Sequence, residues 1–321
     1  MTKIANAYDT YATTGAKNEI KEDLADLIYE ISPEATPGMQ AIGTRDVTQP
    51  NFDWLVQSLP SASGTGVLEG DVISRQASTG TTRRSNQCVI LTRNATITGT
   101  TMASETAGYA DAMAHQMQLI VRALKTDLET VLFAKTAKNT GNATTIRTTA
   151  GLSSWLTSNA VLGSAGSPSV ATGDGSDTIT DGTKRALTKT HINTAMQSVF
   201  GNSSQLPTIL LCGPFNKAKI GAFDESSTNM RRMVDANQVG ASVTVVASDF
   251  GDLEVVPDNF NRERDVFLIN PEYARLAYLR NFERKPMGAV GDGMTEAVYV
   301  EAGVQVDNEA THAIIADCTD A

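Results

Sequence analysis

Cysteine is scarce in this chain, and its scarcity excludes a good deal. The three cysteines among 321 residues, Cys88, Cys212 and Cys318, lie far apart and form no Cys-x-x-Cys pair. Neither a disulfide framework nor a cysteine-ligated zinc site is supported, and each reads as a small apolar filler, a buried free thiol. Histidine is equally rare. His115, His191 and His312 make no His-x-x-x-His or His-Glu-x-x-His element, so a metalloprotease centre has no ligands. Nor does any apolar run approach the roughly 20 residues that cross a bilayer. Met1 to Gly15 carries one lysine and no apolar core of a secretory signal, so a cytoplasmic origin is expected. Positive charge is also in deficit, with 26 Lys and Arg against 36 Asp and Glu, a net charge of −10. A surface that grips phosphates is normally basic, because counterion release drives such binding.

Catalytic motifs are missing as well. There is no phosphate-binding Gly-x-x-x-x-Gly-Lys-Ser/Thr loop and no Gly-x-Ser-x-Gly elbow. Asp249-Phe250-Gly251 spells a kinase magnesium motif, but the glycine loop and His-Arg-Asp loop that must accompany it are absent. It reads as a turn between two strands. Asp174, Asp177 and Asp181 miss the calcium-loop spacing and its closing glutamate. No catalytic, cofactor-binding or metal-binding residue is assigned, and no cofactor is expected.

What is present is an ordered series of structural signals. Met1 to Lys17 reads as an arm. Asn18 is placed to cap a short helix that carries Ile20, Leu24, Leu27, Ile28 and Ile31 on one stripe and stops at Pro33. Phe52, Trp54 and Val56 alternate like a half-buried strand, and Cys88 to Thr98 is strand-like again. Between them, Ser58 to Asn86 is a polar excursion too long for an ordinary loop. It carries Val67, Leu68, Val72 and Ile73, which need something to bury against. Ser104 to Lys138 has apolar residues at helical spacing, from Ala110 to Leu132, with Lys135 and Lys138 placed to complement the helix dipole. The implied helix is about 50 Å long. Asn139 to Thr183 reads as loops around short strands, anchored by Trp155 and Leu156. An α/β pattern follows: a helix through Ile192 and Phe200 closed by Gly201, a buried strand at Thr208–Cys212, and a helix opened by Pro214. Strands are expected at Val243–Ala247, Leu253–Val256, Val266–Ile269, Ala297–Glu301, Val304–Val306 and Ala313–Ala316.

Arm, short helix, polar excursion, very long helix, α/β lobe and final strands, in that order, resemble the major capsid proteins of tailed bacteriophages, with the Hong Kong 97-type fold. Local strings carry the resemblance closer to one branch of phage major head proteins. They are the run from Glu22 to Pro33, Leu68-Glu69-Gly70-Asp71, Ile97-Thr98-Gly99-Thr100, Leu124-Lys125-Thr126-Asp127-Leu128-Glu129, Ser248-Asp249-Phe250-Gly251, Leu279-Arg280-Asn281-Phe282, and the stretch from Gly291 to Glu301.

The resemblance implies an α+β fold with five parts. These are an N-terminal arm with a short helix (1–57), an extended loop with flanking strands (58–100), a peripheral domain with the spine helix (101–150), an α/β axial domain (151–258) and C-terminal peripheral strands (259–321). It implies a non-enzymatic shell protein that forms hexamers and pentamers of an icosahedral capsid around double-stranded DNA, assembled in the bacterial cytoplasm and located in the virion. Partners would be other copies of the chain, together with portal, scaffolding and decoration proteins, and no membrane. Candidate subunit-interface residues are Val67, Leu68, Glu69, Asp71, Val72, Arg75, Arg83, Arg84 and Arg93. Only a short arm precedes the match, so any scaffold is expected to be a separate protein. Ser58 to Asn94 contains no lysine, so the isopeptide crosslink that starts from a loop lysine in the type phage is not expected. An encapsulin-like cargo compartment is the alternative, and an enzyme with an unfamiliar α/β site is a more distant one.

Overall fold

The computed structural model describes residues 36–60, 62, 64, 66–72, 78–104, 109, 111–168, 173–223, 245–289 and 291–319. The expected arm and its helix at 18–31, together with Ile73, Arg75 and Ala110, lie outside the described residues. In chain order the elements are α1 (Pro37–Ala41), β1 (Gly43–Asp46), β2 (Asn51–Val56), β3 (Thr82–Gln87), β4 (Val89–Thr98), α2 (Gly99–Ala103) and α3 (Ala112–Phe133). Then come β5 (Ala160–Val161), α4 (Lys189–Ser203), β6 (Ile209–Cys212), α5 (Pro214–Ala222), β7 (Val245–Ser248), β8 (Gly251–Pro257), β9 (Val266–Ile269), β10 (Ala274–Ala289), β11 (Gly293–Val306) and β12 (Ala313–Ile315).

Two larger sheets and one hairpin result. A six-stranded sheet has the order β5-β12-β9-β6-β8-β7, a four-stranded sheet the order β1-β10-β11-β4, and β2 pairs with β3 alone. Residues 259–321 supply strands to both sheets, β9 and β12 to the first and β10 and β11 to the second.

The six-stranded sheet is buried on both faces, which is why its central strands are unbroken apolar runs. Along β9, Val266 and Leu268 face a core completed by Ile192, Ala195, Met196 and Val199 of α4. Phe267 and Ile269 face the opposite core, shared with Leu128, Leu132 and Phe133 of α3 and with Trp155. Asp249 and Phe250 form the turn between β7 and β8, as expected for Asp249-Phe250-Gly251. Pro214 opens α5. The three cysteines are free and buried, and burial pushes each thiol up to about 12, so all three stay protonated and inert.

The spine helix α3 is shorter than the sequence suggests. It holds 22 residues, about 33 Å of rise. Asp111 is its N-cap, with Oδ1 accepting from the amides of Met113 at 2.9 Å and Ala114 at 3.1 Å. Ser104 lies outside the helix, and so do Lys135 and Lys138. The chain leaves the helix at Ala134 to pack against Gly151, where a Cβ would stand 2.0 Å from the Ala134 carbonyl oxygen. Just past the helix end, the carbonyls of Ala134 and Thr136 accept from Ser153 Oγ at 3.4 Å and Ser154 Oγ at 2.7 Å. The two lysines act as staples instead of dipole partners. Lys135 Nζ lies 3.2 Å from Asp181, and Lys138 Nζ donates to the carbonyls of Ser85 and Asp174.

Other expectations need correction. Thr82–Gln87, read as part of the polar excursion, is a strand paired with β2 from Asn51↔Gln87 to Val56↔Thr82. β11 is one strand of 14 residues, not two. Gly303 is no break within it, because a Cβ there would meet the Gln87 carbonyl oxygen at 2.6 Å and Phe52 at 2.7 Å, so the glycine permits close approach of the hairpin. Helix α4 runs through Gly201 and ends at Ser204, whose φ of 59° is left-handed. Ser203 Oγ replaces the glycine cap, donating to the Val199 carbonyl and accepting from the Gln205 amide. The 16-residue strand β10 has no counterpart in the sequence reading.

Candidate functional site

Among the described residues, apolar side chains without a burying partner gather in the segment between β2 and β3. The hairpin base is firm. Phe52 and Trp54 point into the core, their rings 5.9 Å apart and stacked, and Gln57 Nε2 donates to the Thr79 carbonyl at 2.9 Å across the loop neck. Beyond that neck the apolar side chains turn outward. Leu59, Val67, Leu68 and Val72 are between 76% and 92% exposed, where buried apolar surface would be the normal fate of such residues.

Leu68-Glu69-Gly70-Asp71 forms a turn at the tip. The Asp71 amide donates to the Leu68 carbonyl at 3.1 Å, and Gly70 takes φ +83°, which the third position of a type II turn requires. Asp71 Oδ1 then accepts from the Val72 amide at 2.8 Å. The turn therefore presents Leu68 and Glu69 at its crest with no strain on either.

Of the residues singled out from sequence, Val67, Leu68, Glu69, Asp71 and Val72 sit together at this tip. The arginines are elsewhere. Arg83 lies on β3 and pairs with Asp53 of β2, while Arg84 is half-buried across from Trp54. Arg93 lies on β4, and its guanidinium grips Asp127 of α3 with two bonds of 2.6 and 2.7 Å. Arg83 and Arg93 thus have carboxylate partners within their own chain. Arg75 lies outside the described residues. Sequence reasoning missed Leu55, which is 67% exposed. It occupies the outward, polar phase of β2 between Trp54 and Val56, and an apolar residue in that phase was the available signal.

Elsewhere the described residues offer little chemistry. Among them, no group of three or more His, Cys, Asp or Glu is arranged to hold a metal, and no helix is long and apolar enough to cross a membrane. Asp174, Asp177 and Asp181 do not converge on a site. Asp174 and Ser176 share a local turn, and Asp181 is held by Arg262 and Lys135, whose positive charges keep its carboxyl below the usual range.

A spine helix laid on a four-stranded sheet, an α/β lobe and a protruding hairpin loop together define the Hong Kong 97-type shell fold. Solved phage capsids share it over nearly their whole length. A chain of the cyanophage P-SCSP1u capsid is 14% identical with a TM-score of 0.61, covering 97% of this chain and 96% of that one. A chain from Gordonia phage Cozz is 12% identical with a TM-score of 0.65, covering 99% and 97%. The SrpI encapsulin of Synechococcus elongatus PCC 7942 has the fold too, at 10% identity and a TM-score of 0.55, covering 95% and 94%. No curated protein matches the chain by sequence. The chain matches the family described as SU10 major capsid protein over residues 4–319, and it belongs to that family. It is therefore a structural protein of a phage virion that assembles with copies of itself, not an enzyme. The fold alone would suit an encapsulin equally, so the family match makes that alternative the weaker one.

Proposed function

We propose that six or five copies close into rings through head-to-tail, heterologous contacts, and that each copy lays its 57–81 loop across a neighbour. The rings would tile an icosahedral shell around double-stranded DNA, assembled in the host cytoplasm with separate portal, scaffolding and decoration proteins. The four-stranded sheet with α3 forms the peripheral unit in this reading, and the six-stranded sheet with α4 and α5 the axial unit. The observation that carries the proposal is the outward apolar set Leu59, Val67, Leu68 and Val72 on a well-anchored hairpin. Fully burying each such side chain is worth about 1.5–3 kcal/mol, so covering the loop rewards every contact in a repeating shell. An acidic chain suits a container that must hold DNA without binding it tightly.

Electron microscopy of the purified chain or its parent particle tests the reading. Closed icosahedral shells with the loop seated on an adjacent copy are expected, whereas discrete small oligomers under all assembly conditions would sink it. Because the loop lacks lysine, no covalent ladder in hot denaturant should have its crosslink mapped to residues 58–94.

A further inference from the structure

The spine helix carries an acid where its neighbours call for an apolar residue. Glu129 lies on the buried stripe of α3 between Leu128 and Leu132 and is fully enclosed. One carboxylate oxygen accepts from the Gly38 amide at 2.5 Å and the other from the Met39 amide at 2.8 Å. Both donors belong to α1, where the chain coming from its amino-terminal segment joins the body. Gly38 is required for this approach. A Cβ there would stand 2.5 Å from Phe133 Cζ and 2.7 Å from Glu129 Oε1.

A second acid meets the first. Asp258 follows β8 and is 1% exposed. Its Oδ1 accepts from the Phe260 amide at 2.8 Å, while its Oδ2 has no donor among the described residues. The carboxyls of Asp258 and Glu129 lie near enough for each to act on the other's ionisation. Two carboxylate oxygens can meet without a donor between them only if one carries a proton. Among the described residues, the other titratable groups at this junction are Cys212, a protonated thiol whose carbonyl accepts from the Asp258 amide, and Lys217, whose Nζ donates to the Val255 carbonyl at 2.9 Å. Neither supplies the missing donor. Helix α1 has no charged residue.

We propose that Glu129 and Asp258 share a proton, and that this pair is a pH-dependent latch fastening α1, and with it the chain's entry into the fold, to the spine helix. Burial and the second carboxylate push Glu129 up to about 8, and burial also raises Asp258. The sign follows from the released state, in which both acids ionise near their ordinary values of roughly 4. Between that range and about 8 the latched form holds a proton that the released form gives up, so the latch is tightest at the acid end of this window and weakens as pH rises through it.

Hydrogen exchange on the full-length chain tests this, with protection at each pH taken relative to the intrinsic rate so that base catalysis cancels. Protection of the Gly38 and Met39 amides is expected to fall at least tenfold between pH 5.5 and pH 8.5, while that of the β9 amides stays level. Asp258→Asn supplies the missing donor and leaves Glu129 ionised against two backbone amides, so it should hold α1 at every pH and flatten the profile. A wild-type profile that is already flat, or a decline shared equally by β9, overturns the proposal without reference to any variant. So does an Asp258→Asn profile as steep as that of wild type.

Discussion

Strand β9 and the 57–81 loop both carry branched apolar side chains, yet those side chains meet opposite fates. Val266, Phe267, Leu268 and Ile269 are all at most 1% exposed, while Val67, Leu68 and Val72 are at least 76% exposed. The side chains themselves are of one kind; what differs is the partner available to them. β9 finds α3 and α4 within its own chain, whereas the apolar loop residues past the hairpin neck have no burying partner among the described residues. Subunit stability and shell stability should therefore reside in different residues. Phe267→Ala attacks the first most directly, since its ring packs 5.4 Å from that of Phe133. The cavity should cost about 3–5 kcal/mol, read as a lowered urea midpoint of the unassembled chain. A variant that kept its midpoint and lost only assembly would collapse the distinction.

Next in size is a pH effect confined to the six-stranded sheet. His312 is enclosed at the start of β12, its Nδ1 accepting from the Asn270 amide at 3.1 Å. Burial lowers its pKa from 6.5 to about 4. The unfolded chain takes up a proton below about 6.5 that the folded chain refuses until about 4, so the contribution is complete above that window and lost as pH falls through it. Its full size is on the order of 3 kcal/mol. The urea midpoint of wild type, compared with that of His312→Gln at pH 7 and pH 4.5, isolates this term. The wild-type lead should shrink in acid, and a constant lead would show that the histidine does not titrate this way.

The four-stranded sheet supplies a graded pair of tests. Glu301 is buried on β11 and held by Arg147 and by Arg280 Nε, the latter at 2.9 Å. Arg147→Ala leaves a buried carboxylate with one partner and should cost about 1–3 kcal/mol. Arg93→Ala removes an ion pair whose arginine is half exposed, so it should cost at most about 1 kcal/mol and less in high salt. Denaturation midpoints at low and high salt separate the two. Equal losses would mean that burial does not set the value of these pairs.

How much of this was legible follows the same line. α3, β6 and β9 could be read because their periodicity records burial within the chain. The overlong helix came from counting Lys135 and Lys138 as dipole partners, when contacts with Asp181, Ser85 and Asp174, distant in sequence, pull the chain away. β10 escaped because Arg275, Arg280, Arg284 and Lys285 hide any apolar alternation in the sequence. Their partners, Asp307, Glu301, Glu296 and the Tyr299 ring, sit on or just beyond β11. The loop tip could be found as apolar residues in a polar excursion, but Arg83 and Arg93 could not be placed. Nothing local reveals that Asp53 and Asp127 already hold them.

The smallest expected effect on the subunit is the most informative. Val67→Ser, Leu68→Ser and Val72→Ser together alter three side chains that touch no core. The Leu68–Asp71 turn is kept, because it depends on Gly70 and backbone atoms. The midpoint of the unassembled chain should move by no more than about 0.5 kcal/mol. Shells should nonetheless fail to form in sedimentation and electron microscopy, since the burial lost is repeated at every copy. Serine adds no charge to the loop, so a failure would report lost burial and not new charge repulsion. If the triple variant assembles like wild type, the exposed loop is not the adhesive surface, and the outward face of β2 at Leu55 becomes the next surface to test.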